Sequence, residues 1–286
     1  MTSALSTHVT EDHVSTERLE LYVRRAGQGP CVLYLGGSNF DMRLRCAVMA
    51  SALPEHFDVV TYEPRGLARS QAPAGTWSMR DYADDAVSLL DALDIPQALV
   101  LGESFGGMAA LHMTAYHPQR VKGLAIMAAT AGGVFGRSHP IDDWLQLSVE
   151  EAARAALHIQ DLRFGQLCKT DPEAAALQMA QRVRIEDAFR ACPANVAGYP
   201  RLLQARADHD AVSLLDLITC PTIVMAGRYD GQAPFAAVKR LSENLPNAEF
   251  WAFDGGHGFG FASPEPVARL ITAWTAAPHS EQETFE

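Results

Sequence analysis

Two kinds of segment alternate along the chain. Short, nearly continuous apolar runs rich in β-branched residues are separated by longer stretches whose apolar residues have helical spacing. Buried strands of a parallel sheet show the first pattern, and helices that cover such a sheet show the second. We therefore expect an α/β fold with a mostly parallel central sheet flanked by helices. The predicted strands lie at residues 19–24, 32–35, 59–62, 98–101, 124–128, 223–226 and 249–253.

Helix starts follow the predicted strands. Ser78 with Asp81 three residues later has the pattern of a capping box, which predicts a helix that continues to Leu93. A second helix is predicted over residues 108–116, directly after the strand at 98–101. These positions suit helices that return the chain to the sheet.

The alternation stops between residues 131 and 215, where no convincing strand can be found. Helix starts do occur there: Ser148 with Glu151 forms another capping box, and Asp171 precedes Pro172 as N-cap and first helical residue. We expect a helical cap, or lid, inserted at residues 131–215. The remaining predicted parts are a core at 17–130 and 216–276 and polar tails at 1–16 and 277–286.

Composition narrows the class of protein. The 286 residues are 48% hydrophobic and 20% charged, which suits a globular chain with a sizeable core and excludes collagen, a coiled coil and a disordered chain. Lys and Arg number 23 against 34 Asp and Glu, giving a formal charge of −11 that repels phosphate backbones and anionic lipids. We expect neither a nucleic acid nor a membrane as partner, and the oligomeric state stays open.

The cysteines and the N-terminal segment indicate the cellular compartment in which we expect the protein. The five cysteines are odd in number, widely spaced and without a C-x-x-C pair, which favours reduced thiols over disulfides or zinc. Residues 1–16 have neither the cationic nor the apolar region of a signal peptide, and no apolar run approaches the ~20 residues that cross a bilayer. The expectation is a soluble cytoplasmic protein. His112 and His117 lack metal-ligand spacing, so no metal is expected.

The chemistry is concentrated at residues 99–107, where an apolar strand runs into the pattern G-x-S-x-G and then into a helix. In such a strand-to-helix reversal the serine adopts a strained backbone and is presented at the edge of the sheet. Gly102 and Gly106 leave room where a Cβ would collide. Ser104 is therefore the candidate nucleophile, and a glycine-rich turn with a capping serine is the alternative.

A serine nucleophile needs a histidine base and a carboxylate to orient it. His257 lies on a glycine-rich loop directly after the last predicted strand, at the same edge of the sheet. Asp230 follows the penultimate strand and is the candidate acid, although an ordinary turn aspartate before Gly231 would look the same. The chain order Ser, Asp, His agrees with these roles.

Acyl transfer also requires donors for the developing oxyanion, and two fixed backbone N–H groups suffice. Phe105, next to Ser104, is the first candidate, and the loop after the strand at 32–35 supplies Gly37 or Ser38. Arg43 and Arg45 follow this loop. They could bind a substrate carboxylate, but exposed helix arginines are the commoner explanation.

These motifs resemble the α/β-hydrolase fold family, in its serine hydrolase branch with a helical cap. The resemblance covers about residues 19–274. Within the family, the chain is similar to the esterase, enol-lactonase and C–C bond hydrolase branches. The residues that carry it are Gly102, Ser104, Gly106, Asp230, Pro234 and His257.

Two segments depart from the family pattern. Leu35-Gly36 stands where many members have His-Gly at the oxyanion loop, so this loop must be organised without that histidine. Residues 63–70 replace the family's D-x-R-G-x-G-x-S, and we interpret them as structural bracing.

The resemblance implies a serine hydrolase that cleaves a small-molecule carboxylic ester or lactone through an acyl-enzyme, with no cofactor. A C–C bond hydrolase or a cofactor-free haloperoxidase or perhydrolase could use the same residues. So could an acyltransferase, which passes the acyl group to an alcohol or thiol. A small-molecule receptor on the same fold is the alternative from a different class.

Overall fold

A computed structural model of the chain describes residues 8–276, and one eight-stranded sheet forms its centre. The strands are β1 (Thr10–Ser15), β2 (Glu20–Ala26), β3 (Cys31–Leu35), β4 (Asp58–Tyr62), β5 (Ala98–Glu103), β6 (Val121–Met127), β7 (Thr222–Gly227) and β8 (Ala248–Phe253). Their order across the sheet is β1-β2-β4-β3-β5-β6-β7-β8. β2 is antiparallel to both neighbours, and all pairs from β4 to β8 are parallel. The predicted α/β fold class is confirmed.

The seven predicted strands are all present, with ends shifted by no more than three residues. β1 is an eighth strand in the segment predicted as a polar tail, and that prediction is wrong for residues 10–15. β1 pairs only with β2 at the sheet edge, and nearly all its side chains are exposed. Such a strand has no apolar alternation to reveal it. Residues 1–7 and 277–286, also predicted as tails, lie outside the described residues.

Helices cover the sheet and fill the connection between β6 and β7. Among the described residues, no helix is both long and apolar enough to cross a bilayer. Short 3₁₀ helices occur at Leu53–Glu55, Pro118–Arg120, Gly133–Phe135, Asp142–Gln146 and Val212–Leu217. The α-helices are α1 (Ala47–Ala50), α2 (Met79–Ala92), α3 (Phe105–Tyr116), α4 (Val149–Gln160), α5 (Phe164–Thr170), α6 (Pro172–Arg190), α7 (Pro193–Ala207), α8 (Phe235–Glu243), α9 (Phe259–Ala262) and α10 (Glu265–Ala276).

The predicted helix starts agree with the structure. Both capping boxes are formed, at Ser78 before α2 and at Ser148 before α4. The side chain of Asp171 caps α6, and Pro172 is its first residue. The helix predicted at 108–116 begins earlier, at Phe105, because the turn at Ser104 leads directly into it.

The connection between β6 and β7 is a helical insert that contains α4 to α7. Its two ends meet, since Ala211 donates its N–H to the carbonyl of Ala131 at 2.8 Å. The buried Asn195 of α7 accepts from the N–H of Ala68 at 2.7 Å and donates to Asp41 at 3.0 Å. A Cβ on Gly198 of the same helix would collide with the carbonyl of Gly66. The insert is therefore docked on loops of the sheet.

Residues 63–70, which contact the insert through Gly66 and Ala68, are held in place by buried ion pairs. Glu63 is fully buried and binds Arg69 of the same segment. Arg65 makes two hydrogen bonds of 2.6 Å to Asp85 on α2, and Arg18 adds a third at 2.9 Å. These contacts agree with a bracing role for the segment.

Candidate active site

Ser104 lies in a sharp turn between β5 and α3. Its backbone angles, φ 54° and ψ −116°, are strained for a residue that carries a side chain. A Cβ on Gly102 would lie 2.6 Å from the carbonyl oxygen of Gly106, and one on Gly106 would collide with the carbonyl of Leu35. Only glycines fit these two positions, and the turn holds the Ser104 hydroxyl at the carboxyl edge of the sheet.

Three side chains meet at this edge in a hydrogen-bonded series. Nε2 of His257 lies 2.9 Å from Oγ of Ser104, and its Nδ1 lies 2.8 Å from Oδ2 of Asp230. Their exposed fractions are 7% for Ser104, 8% for His257 and 2% for Asp230. A carboxylate only accepts, so Nδ1 carries the proton and Nε2 has a free lone pair towards the serine. The structure thus brings together the three residues that the sequence singled out.

The carboxylate of Asp230 is held by the loop after β7. Its Oδ1 accepts from the backbone N–H groups of Gln232 and Ala233, both at 2.8 Å. Its Oδ2 is left for His257. The backbone of His257 is fixed as well, because its N–H donates to the carbonyl of Gln160 at the end of α4 at 2.6 Å. The insert therefore helps to position the histidine.

The candidate oxyanion donors surround Ser104. Phe105 is the first residue of α3, where backbone N–H groups lack partners within the helix. Gly37 lies close on the other side, since a Cβ built on it would be 3.8 Å from Cβ of Ser104. Gly37 and Ser38 also line the cavity at the serine. These positions suit the predicted roles, which stay a proposal.

A cavity of about 30 Å³ lies over Ser104 and His257. Side chains of the insert line it, among them Trp144, Gln160, Arg182 and Tyr199. Its volume is small beside the about 300–1,000 Å³ of most ligand pockets.

Several lining residues were not found from the sequence. Gln232 places its side-chain amide nitrogen 3.1 Å from Nε2 of His257, and Gln160 donates to the oxygen of that amide at 3.0 Å. Arg45 lines the cavity, whereas Arg43 binds Asp41 at 2.5 Å. Neither Arg43 nor Arg45 lies on a helix, so the explanation that they are exposed helix arginines does not apply. The one sequence signal that could have identified Gln232 as a site residue is its position two residues after Asp230.

The part of the chain that the structure describes holds no group of three or more His, Cys, Asp or Glu side chains that could bind a metal ion.

Comparison with known proteins decides the family. The family model described as alpha/beta hydrolase fold matches residues 34–264. The chain belongs to this family. Among proteins similar to it is a poly(3-hydroxyalkanoate) depolymerase from Ectopseudomonas oleovorans, 29% identical over 85% of this chain and 82% of the relative. Another, from Caulobacter segnis, carries the provisional name carbamate hydrolase RutD and is 31% identical over 77% and 81% of the two chains.

Solved structures agree on the fold. The enol-lactonase from Burkholderia xenovorans LB400 superposes with a TM-score of 0.72 and 21% identity, over 92% of this chain and 98% of the other. At this identity the similarity shows a shared fold. The family match and the curated relatives indicate that this α/β-hydrolase is a hydrolase.

In this α/β-hydrolase the loop after β3, the candidate oxyanion loop, is organised without the histidine found in many members. The ring of Phe40 lies where a side chain at Gly36 would be, since a Cβ there would be 2.5 Å from Cδ2 of the ring. The N–H of Phe40 donates to the carbonyl of Gly37 at 3.1 Å. A tight turn and an aromatic side chain thus hold the loop against Ser104.

Proposed function

We propose that this α/β-hydrolase cleaves a carboxylic ester or lactone of a small molecule through an acyl-enzyme. Ser104 is the nucleophile, His257 the general base and Asp230 the acid that orients it. The observation that carries the proposal is the hydrogen-bonded series from Ser104 through His257 to the buried Asp230. No metal or organic cofactor takes part. The scattered free cysteines support the cytoplasm as its location.

Acylation begins with attack of Ser104 Oγ on the carbonyl carbon of the substrate. The hydroxyl proton passes to Nε2 of His257, and Asp230 stabilises the resulting imidazolium through Nδ1. The carbonyl oxygen takes up negative charge beside the N–H groups of Phe105 and of Gly37 or Ser38. When the C–O bond breaks, His257 returns the proton to the leaving alkoxide.

Deacylation uses the same groups with water. His257 removes a proton from the water as its oxygen attacks the acyl carbon, and the proton then passes to Ser104 Oγ as the ester bond to the enzyme breaks. The net reaction converts one ester and one water into an acid and an alcohol. For a lactone both products stay in one molecule.

The test is rapid-mixing release of p-nitrophenol from its butyrate ester by the wild type and by Ser104→Ala, at enzyme concentrations that allow turnovers to be counted. Sustained turnover that disappears in the variant supports the proposal. Ester turnover retained by Ser104→Ala overturns it. A single stoichiometric burst points instead to a receptor on the same fold.

Product analysis separates the chemistries that share these residues. Acid and alcohol in equal amounts support hydrolysis of an ester. A vinylogous diketone cleaved in preference to esters indicates a C–C bond hydrolase, and a peracid formed from hydrogen peroxide indicates a perhydrolase. Product formed only with an added alcohol or thiol indicates an acyltransferase.

A further inference from the structure

Arg182 on α6 projects a charged side chain into the cavity at Ser104. The side chain is only 11% exposed, and its one ion pair within the described residues, with Glu186, is a long one. Glu186 lies 3.6 Å away and makes its shorter contact, 2.8 Å, with Arg190. Gln160 accepts from Arg182 at 3.5 Å, and within the described residues Nε has no partner. A buried guanidinium with so few contacts is costly unless something else binds it.

A second cation faces the same cavity from the sheet side. Arg45 follows the oxyanion loop, is exposed to solvent and forms no salt bridge within residues 8–276. The two guanidinium groups repel each other. Burial lowers the pKa of Arg182, the nearby charge of Glu186 acts against this, and the charge of Arg45 lowers the pKa further. A negative group between Arg45 and Arg182 would relieve that repulsion.

Among the lining residues the one carboxylate is that of Glu103, which accepts a short hydrogen bond from the hydroxyl of the buried Tyr34. That bond leaves its negative charge in place, but the two arginines outnumber it. The charged side chains of the lining are therefore positive on balance, although the whole chain has a formal charge of −11. A local charge opposite in sign to that of the whole chain favours an anionic ligand at this position.

We propose that Arg182 and Arg45 bind an anionic group of the substrate, so that the substrate class is a carboxylate-bearing ester or lactone such as the half-ester of a dicarboxylic acid. This proposal rests on the proposed function of Ser104. A guanidinium matches a carboxylate with two parallel hydrogen bonds, and burial strengthens them. Binding also satisfies Nε of Arg182.

The hydrogen bonds of the site place this group relative to the serine. Arg182 contacts Gln160, Gln160 contacts Gln232, and Gln232 contacts His257. The anionic group therefore lies on the insert side of the cavity, separated from the reacting carbonyl by a short carbon chain.

The test compares two esters of the same shape that differ in charge, mono-p-nitrophenyl glutarate and p-nitrophenyl 4-carbamoylbutanoate. We measure kcat/KM for both and take the ratio of charged to neutral ester. Arg182→Gln is expected to lower this ratio about 10- to 100-fold, since hydrogen bonds to charged groups are the stronger ones. Arg45→Gln lowers it by a smaller factor because its side chain is exposed. Arg184→Gln, an exposed arginine of the same helix, leaves it within twofold.

Two outcomes would overturn the proposal. One is a ratio of charged to neutral ester that does not change in Arg182→Gln. The other is an equal decrease of this ratio in Arg184→Gln, which would reflect the general charge of the surface. Because Arg182 is buried, circular dichroism checks that its variant is folded, and Arg45→Gln tests the site from the exposed side.

A binding measurement separates this proposal from the proposed function. Calorimetry with glutarate and the Ser104→Ala protein needs no turnover. Glutarate binding that weakens with Arg182→Gln supports the anion site even if neither ester is cleaved by the wild type, a result that would overturn only the proposed function. Absence of glutarate binding overturns the anion site even if both esters are cleaved.

Discussion

The side-chain amide nitrogen of Gln232 lies 3.1 Å from Nε2 of His257. The same ring nitrogen is 2.9 Å from Oγ of Ser104. A neutral imidazole whose proton is on Nδ1 has one lone pair at Nε2, so the amide and the serine hydroxyl compete for one acceptor.

The orientation of that amide follows from Arg182. An arginine can only donate, so the group of Gln160 that faces it is the amide oxygen. The amide nitrogen of Gln160 then faces the oxygen of Gln232, and the nitrogen of Gln232 is left for His257.

Gln232→Met is expected to raise kcat for p-nitrophenyl butyrate about two- to tenfold. Without the amide donor, the lone pair of Nε2 is available to the hydroxyl of Ser104 alone, and a neutral hydrogen bond of this kind is worth about 0.5–1.5 kcal/mol. Steady-state kinetics measure the change. Gln166→Met, an exposed glutamine on α5, serves as control and should leave kcat unchanged. A loss of activity in Gln232→Met would mean that the amide holds His257 in place and does not compete with Ser104.

Asp230→Asn is expected to lower kcat by a factor on the order of 10³–10⁴ while the protein stays folded. The asparagine oxygen can still accept from the N–H groups of Gln232 and Ala233, but its amide donates to Nδ1 of His257. The ring proton then moves to Nε2, which can no longer accept the proton of Ser104. Single-turnover kinetics measure the loss. Asp254→Asn, an exposed aspartate near His257, should change kcat less than threefold if the effect is specific.

Asp85→Ala is expected to lower the free energy of unfolding by about 3 kcal/mol or more, because it leaves Arg65 buried without its anion. Asp85 is fully buried and the Arg65 side chain is 5% exposed. Urea denaturation measures the change. The matched control is Glu243→Ala, which breaks the exposed pair with Lys239 and should cost less than about 1 kcal/mol. Equal losses in the two variants would contradict this account of the buried pair.

Acid sensitivity is expected from two buried histidines that contact each other at 3.3 Å. Burial lowers the pKa of His112 and that of His209 to about 4. Between pH 6.5 and 4 the unfolded chain binds protons at these positions and the native state does not. Stability is therefore full above pH 6.5 and falls as the pH decreases, by up to about 1.4 kcal/mol per pH unit for each histidine.

His112→Gln is expected to remove one of these two contributions. Glutamine can still donate to Nδ1 of His209 but does not titrate in this range. Urea denaturation at several pH values from 4.5 to 7.5 should show a shallower decrease for the variant than for the wild type. Identical slopes would show that His112 is protonated in the native state at these pH values.

Much of this protein could be predicted from local patterns. The strands β3 to β7 are apolar because both faces of the sheet are covered there, and that requirement is visible in a run of a few residues. Ser104 could be found because its turn needs glycines at Gly102 and Gly106, and Asp230 and His257 because each directly follows a strand. Strand β1 was not predicted because the side chains of an exposed edge strand need not be apolar.

The sequence by itself determined the fold class, the helical insert and the three residues at the carboxyl edge, since each depends on contacts between near neighbours or on a common edge of parallel strands. Only the tertiary structure decided what surrounds Ser104. Gln160 and Arg182 come from α4 and α6, and Arg45 comes from a loop of the sheet. Their meeting depends on how the insert docks through Asn195 and Gly198. Docking is set by side-chain fit between distant segments, and no periodicity along the chain encodes it.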